Sequence, residues 1–251
     1  MTPPSKSPAN PTSERAPEGP GTAGLRDLAT TIEGCRACDR LVAWREHVAI
    51  EKRASFHAET YWGRPVSGFG DANARLLVLG LAPAAHGGNR TGRVFTGDRS
   101  GEWLFRALHR AGYANQPNSI DRTDGLALTD CYVTAAVRCA PPANKPTPAE
   151  RDACQPFLER ELACLRRLRV VVALGQFAYD AAARVLPLDT KPKFGHLART
   201  TAGNLHIVCS YHPSLQNTFT GKLTQPMFDE VFSLARSLSQ TSHGEFGSLD
   251  P

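Results

Sequence analysis

Cysteine supplies the first chemical signal in this sequence. Cys35 and Cys38 form a Cys-x-x-Cys pair, and far downstream stand Cys139 and Cys154, separated by fourteen residues. Such a pair with two distant cysteines can complete four-thiolate coordination. Four thiolates suit Zn²⁺ as well as an iron–sulfur cluster, and spacing alone does not separate the two. Plain burial is a third reading, because a free cysteine packs as a small hydrophobe. Seven cysteines are present, an odd number, and no export pattern precedes them. A disulfide framework is therefore not expected. Cys131, Cys164 and Cys209 lie within strand-like or helical runs and read as core.

The second signal is a set of three polar loops, and the elements around them say where they belong. Short runs at 75–80, 131–137, 170–175 and 206–209 are apolar and β-branched. Segments 25–34, 38–53, 101–111, 148–168, 177–185 and 223–238 carry helical spacing. Strands that are apolar on both faces and alternate with helices imply a parallel sheet covered on both sides. The expected fold is α/β, a three-layer αβα sandwich around a central, mostly parallel four-stranded sheet. The loops at 81–100, 139–147 and 211–222 follow strands and are rich in Gly, Pro, Asn, His and Thr. Ligands on such sheets bind beyond the carboxyl ends of the strands, so these loops are the expected site.

Bulk properties narrow the classes. The 251 residues are 41% hydrophobic, enough for a sizeable core. Residues 1–24 are rich in Pro, Ser, Gly and Ala and read as a disordered tail, with a similar flexible end at 241–251. A single domain is expected over 25–240. No long uncharged apolar run suggests a membrane span, and no leader pattern is visible, so a cytoplasmic location is expected. The net charge is +5, and the tail residues Lys6, Glu14, Arg15 and Glu18 cancel. The basic excess thus falls on the folded part and favours an anionic partner. A Gly-x-Gly-x-x-Gly fingerprint is missing after the first strand, which argues against a dinucleotide enzyme.

Three segments resemble a known family. Gly80-Leu81-Ala82-Pro83 through Gly87, Gly88, Arg90 and Arg93 to Phe95-Thr96-Gly97-Asp98 is similar to the first motif of the family 5 (B-type) uracil-DNA glycosylases. Arg138-Cys139-Ala140-Pro141-Pro142-Ala143-Asn144 resembles the second, and Tyr211-His212-Pro213-Ser214-Leu215-Gln216-Asn217 with Lys222 the third. With the cysteines, the match runs from about Gly34 to Ala235, in the family's order. Family 4 carries a Glu where this chain has Leu81 and an Asn where it has Ala135. Its way of reading uracil through that Asn cannot operate here, and family 5 implies a looser range that includes hypoxanthine and xanthine.

The resemblance implies a [4Fe–4S] cluster on Cys35, Cys38, Cys139 and Cys154, structural rather than redox-active. It implies a monofunctional repair enzyme, a monomer acting on uracil-containing DNA. A base must leave the duplex to be reached. Ala82, Pro83, Phe95, Asn144 and His212 are expected to bind it, with Phe95 as stacking platform. Asp98, Asn144 and His212 are the expected catalytic groups. Asp98 would serve a water and the cationic sugar, and His212 the carbonyl oxygen that gains charge. Gly87, Arg90, Arg93, Arg99, Ser214, Leu215, Asn217 and Lys222 are expected to meet DNA, with Leu215 or Phe219 as wedge. Plainer readings accompany each role. Asp98 suits a helix N-cap, Phe95 a packed aromatic, His212 a turn before proline, and Asn144 a loop. A non-catalytic iron–sulfur protein that binds nucleic acid would also explain the cysteines and the charge.

Overall fold

The structure is a computed structural model and describes residues 20–240. The terminal segments 1–19 and 241–251 lie outside the described residues. Residues 20–24, expected in the tail, open the first helix, α1 (Pro20–Glu33). The chain continues through α2 (Asp39–Glu51), β1 (Phe69–Gly70), β2 (Leu76–Gly80), α3 (Gly88–Thr91), α4 (Arg99–Arg110) and β3 (Cys131–Ala135). It ends with α5 (Pro148–Cys164), β4 (Val170–Leu174), α6 (Gln176–Val185), β5 (Arg199–Ala202), β6 (Leu205–Ser210), α7 (Leu215–Phe219) and α8 (Gln225–Gln240).

One six-stranded sheet has the order β1-β3-β2-β4-β6-β5. The four strands expected from the sequence are its parallel centre: β3, β2, β4 and β6. The count of four is corrected to six by antiparallel β1 and β5 at the two edges. Neither edge carries an apolar signal, because β1 has two residues and β5 is Arg-Thr-Thr-Ala. Every residue of β2, β3 and β4 is buried, as two covered faces require.

Alternation along the strands divides the core. Leu76, Val78, Val170, Val172 and Val208 pack with Leu104, Phe105 and Leu108 of α4 and with Phe228, Val231 and Phe232 of α8. Leu77, Leu79, Val171, Ala173 and Ile207 face the other way, toward Leu25 of α1, Leu158 of α5 and Tyr179 of α6. These are the two outer helical layers of an αβα sandwich. A third, smaller cluster joins Leu41 of α2 to Val137, Cys139 and Cys154. The start of α5 is fixed by a capping box, in which Thr147 Oγ1 accepts from the Glu150 amide and Glu150 Oε2 accepts from the Thr147 amide. The same carboxylate takes a bidentate bond from Arg40, at 2.7 Å to each oxygen, which clamps α2 against α5.

Candidate active site

Helices and loops at the carboxyl edge enclose a cleft of about 780 Å³. Its lining includes Leu81, Ala82, Phe95, Asp98, Arg99, Asn144, His212, Ser214 and Leu215. Residues from all three polar loops therefore meet in one place. Two side chains fix its position over the sheet. The Phe95 ring lies on Gly80, the last residue of β2, where a Cβ would stand 2.6 Å from Cε2 and Cζ. His212 lies beside Gly175, just after β4, where a Cβ would stand 3.4 Å from the His212 Cβ. β2 and β4 are neighbours, and the chain runs to opposite sides of the sheet after them. The cleft sits at that switch point, the favoured ligand position of open α/β sheets.

The backbone of the site is held in unusual conformations. Phe95 has φ 53° and Asn144 φ 56°, and Ala143 before it has φ 52°. Non-glycine residues rarely occupy this left-handed region, and such outliers gather at functional sites. Here they aim side chains: the turn at Phe95 lays its ring on β2, and the turn at 143–144 brings Asn144 to the cleft.

Asp98 lines the cleft and also takes the plainer role read for it. It is the N-cap of α4, with Oδ1 accepting from the Gly101 amide at 2.9 Å. Its Oδ2 lies against Gly87, where a Cβ would come within 2.1 Å. Burial raises the Asp98 carboxyl above the usual range, opposed by the bonds from the Gly101 and Ser100 amides. A raised carboxylate is a better proton acceptor for a water in the cleft. His212 stacks beside Phe95, with ring centroids 5.9 Å apart and planes at 29°. Burial lowers its pKa to about 4, so the ring is neutral at pH 7 and can donate a hydrogen bond without carrying charge. Asn217 Nδ2 donates to the His212 carbonyl at 2.9 Å and steadies that turn.

Four of the expected contact residues are held within the protein. Pro83 does not line the cleft; it is buried beneath Gly88, whose Cβ would meet the Pro83 Cβ at 2.9 Å. Gly87 makes room for Asp98. Arg90 turns inward, bonding the carbonyls of His86 (2.8 Å) and Gly97 (3.0 Å), pairing with Glu59 and lying over the Phe56 ring. Arg93 is spent on Thr96, Ser119 and Asp124, the last at 2.6 Å. The loop has few apolar side chains, so buried guanidinium groups hold it together by satisfying its carbonyls and hydroxyls. Of the remaining expected contacts, Ser214 caps α7. Lys222 is exposed over the Tyr211 ring at 4.8 Å. Leu215 is 59% exposed and lines the cleft, whereas Phe219 is 85% exposed and does not. Sequence reasoning missed Arg53, which also lines the cleft and belongs to none of the three loops.

The sequence profile described as the Uracil DNA glycosylase superfamily matches residues 67–236, which hold the sheet and the cleft loops. The chain belongs to this superfamily. It is 52% identical to the type-5 uracil-DNA glycosylase of Mycobacterium bovis, over 87% of this chain and 83% of that protein. It is 50% identical to that of Mycobacterium leprae, over 87% and 97%, and 52% identical to that of Thermus thermophilus, over 83% and 95%. These matches place it in the type-5 branch of the glycosylase superfamily.

This glycosylase-family chain also brings its four singled-out cysteines together. Cys35, Cys38, Cys139 and Cys154 line one small cavity with Leu41, Arg45 and Arg138. All four are free thiols. Among the described residues, no three His, Cys, Asp or Glu are grouped as a site for a metal ion. Two buried cations flank the cavity. Arg138 is paired with Glu161 at 2.7 Å, both 1% exposed. Arg45 Nη1 donates to Cys139 Sγ at 2.9 Å and Nη2 to the Cys35 carbonyl at 3.2 Å, while Nε has no partner. Burial pushes the Cys139 thiol up to about 12, against the pull of Arg45.

Proposed function

We propose that this chain hydrolyses the bond between uracil and deoxyribose in DNA and leaves an abasic site. The observation that carries this reading is the single cleft that gathers Phe95, Asp98, Asn144 and His212 at the switch point of the sheet. The flipped base stacks on Phe95, a contact worth roughly 1–3 kcal/mol. As the glycosidic bond breaks, its electron pair passes to the base. The neutral His212 N–H stabilises the carbonyl oxygen that gains charge, a bond that strengthens toward the transition state. Asn144 offers an amide to the base or to water. Asp98 accepts a proton from the water that attacks the sugar carbon and offsets the positive charge there.

The same cleft supports a range beyond uracil. Leu81 presents an apolar wall, and Ala135 is buried in the sheet against Gly80, so neither position offers a polar group to read uracil. With no polar group at these two positions to demand the edge of uracil, and with about 780 Å³ of room for a two-ring purine, hypoxanthine and xanthine are included as substrates. The enzyme acts as a monomer in the cytoplasm. Among the described residues, no helix is long and apolar enough to cross a membrane.

A [4Fe–4S] cluster on Cys35, Cys38, Cys139 and Cys154 belongs to this reading. Four thiols share one cavity, a donor set that suits such a cluster. The donor set and the unpaired Nε of buried Arg45 suit an occupant of net negative charge. Bound there, the cluster ties α2 to α5 and the 139–147 loop and takes no part in the chemistry.

Excision assays on oligonucleotides with one uracil, hypoxanthine or xanthine test the activity, with Asp98→Asn as the inactive comparison. A wild-type protein that releases none of these bases overturns the reading. Brown anaerobic protein with broad visible absorbance, weakened in Cys139→Ser, is expected for the cluster. Colourless protein with one zinc per chain overturns that part alone.

A further inference from the structure

One cation at the cleft comes from outside its loops. Arg53 follows α2, the helix that begins just after Cys38, and it lines the cleft together with Ser214 and Leu215 of the third motif. The backbone goes to some expense to put it there. Lys52, the C-cap of α2, has φ 53° and ψ 167°, a region that essentially only glycine enters freely. Such strain costs about 1–3 kcal/mol and persists where the surroundings impose it. Here the Lys52 amide closes the helix on the Val48 carbonyl at 3.0 Å, and Lys52 Nζ bonds the His57 carbonyl at 3.3 Å. The Arg53 amide then donates to Tyr61 Oη at 3.3 Å, and that buried hydroxyl also meets His86 Nδ1 at 3.1 Å. The turn carrying Arg53 is thus bolted to the loop after β2.

The Arg53 side chain is left for something else. It is exposed, and among the described residues it makes no ion pair, whereas Arg90 and Arg93 of the adjoining loop are both paired with carboxylates. One turn earlier on the same end of α2, Ile50 is 76% exposed. An unpaired guanidinium fixed at the rim of a nucleotide-sized cleft matches the geometry and charge of a phosphodiester.

We infer that Arg53 is a DNA-backbone contact, holding a phosphate beside the extruded nucleotide from the turn that follows α2. The inference rests on the glycosylase reading. It gives the cysteine-bearing segment a direct part in substrate binding.

The test uses the full chain and a duplex carrying a tetrahydrofuran abasic analogue, with Kd measured across a salt series. Each phosphate neutralised contributes about −0.9 to the slope of log K against log salt. Arg53→Gln is expected to make the slope shallower by about one and to weaken binding several-fold at low salt. Arg53→Lys is expected to retain the slope, because charge is conserved. Arg106→Gln, an exposed change on α4 away from the cleft, is the control and keeps the parent slope. An unchanged slope in Arg53→Gln, with parent-like binding and melting, overturns the inference and leaves the glycosylase reading intact. A wild-type protein that binds no such duplex overturns both.

Discussion

Gly87→Ala is the substitution whose effect the geometry determines most directly. A Cβ at Gly87 would stand 2.1 Å from Asp98 Oδ2, 2.9 Å from Cγ and 3.0 Å from Cβ, while ordinary contact begins at 3.4 Å. The carboxylate must therefore move by more than 1 Å, because the whole end of the Asp98 side chain is crowded. A displacement of about 1 Å at a reacting group costs about 100-fold in rate, or about 2.7 kcal/mol at 1.36 kcal/mol per decade. The same movement weakens the bond from the Gly101 amide to Oδ1, an N-cap worth about 0.5–2 kcal/mol. The expected result is a drop of about two decades in kcat/KM on uracil DNA with a loss of only a few degrees in Tm. Gly195→Ala is the matched control, since its Cβ would meet nothing within 4 Å. Activity of Gly87→Ala within about threefold of the parent would refute the argument that Gly87 exists to seat Asp98. So would a drop in Tm large enough to account for the lost activity.

Other outcomes follow from single features. His212 takes its proton near 6.5 when unfolded but only near 4 in the fold, so between those values the unfolded chain binds more protons and stability falls as pH is lowered from about 6.5 to 4; urea midpoints of His212→Gln should fall less steeply across that window. Glu161→Leu leaves Arg138 charged and buried without its partner, and equilibrium unfolding should register a loss of about 3–5 kcal/mol. Leu215→Ala should slow excision from duplex several-fold and spare single strands, which have no stack to hold open, while Phe219→Ala changes neither. Equal effects of the Leu215 change on both substrates would remove it as the wedge.

The central strands were legible from sequence because both of their faces are covered, which leaves unbroken apolar runs such as Leu76–Gly80 and Val170–Leu174. The edge strands were not, since Phe69–Gly70 and Arg199–Ala202 gain their conformation from a neighbouring strand rather than from their own residues. The short helices α3 and α7 were also invisible, being too brief for a helical period to show. The Thr147/Glu150 capping box is a signal that was present in the sequence and went unread.

At the site, residue type and order, read through the family resemblance, singled out Phe95, Asp98, Asn144, His212 and the four cysteines. Phe95, Asp98, Asn144 and His212 are chemically distinctive side chains in loops whose strands can be recognised locally, and the cysteines stand out by type and spacing. Direction was another matter. Arg90 and Arg93 carry the same charge in the sequence as Arg53 and Arg99 do, yet the first two are drawn inward by Glu59 and Asp124, and the other two reach the cleft. A long flexible cation goes where its partners stand, and those partners come from remote parts of the chain. Gly87 is the same lesson in reverse: its bare backbone suggests a phosphate cradle until the fold places Asp98 against it. Local sequence singled out which groups could do chemistry, and tertiary contact alone decided where each one points.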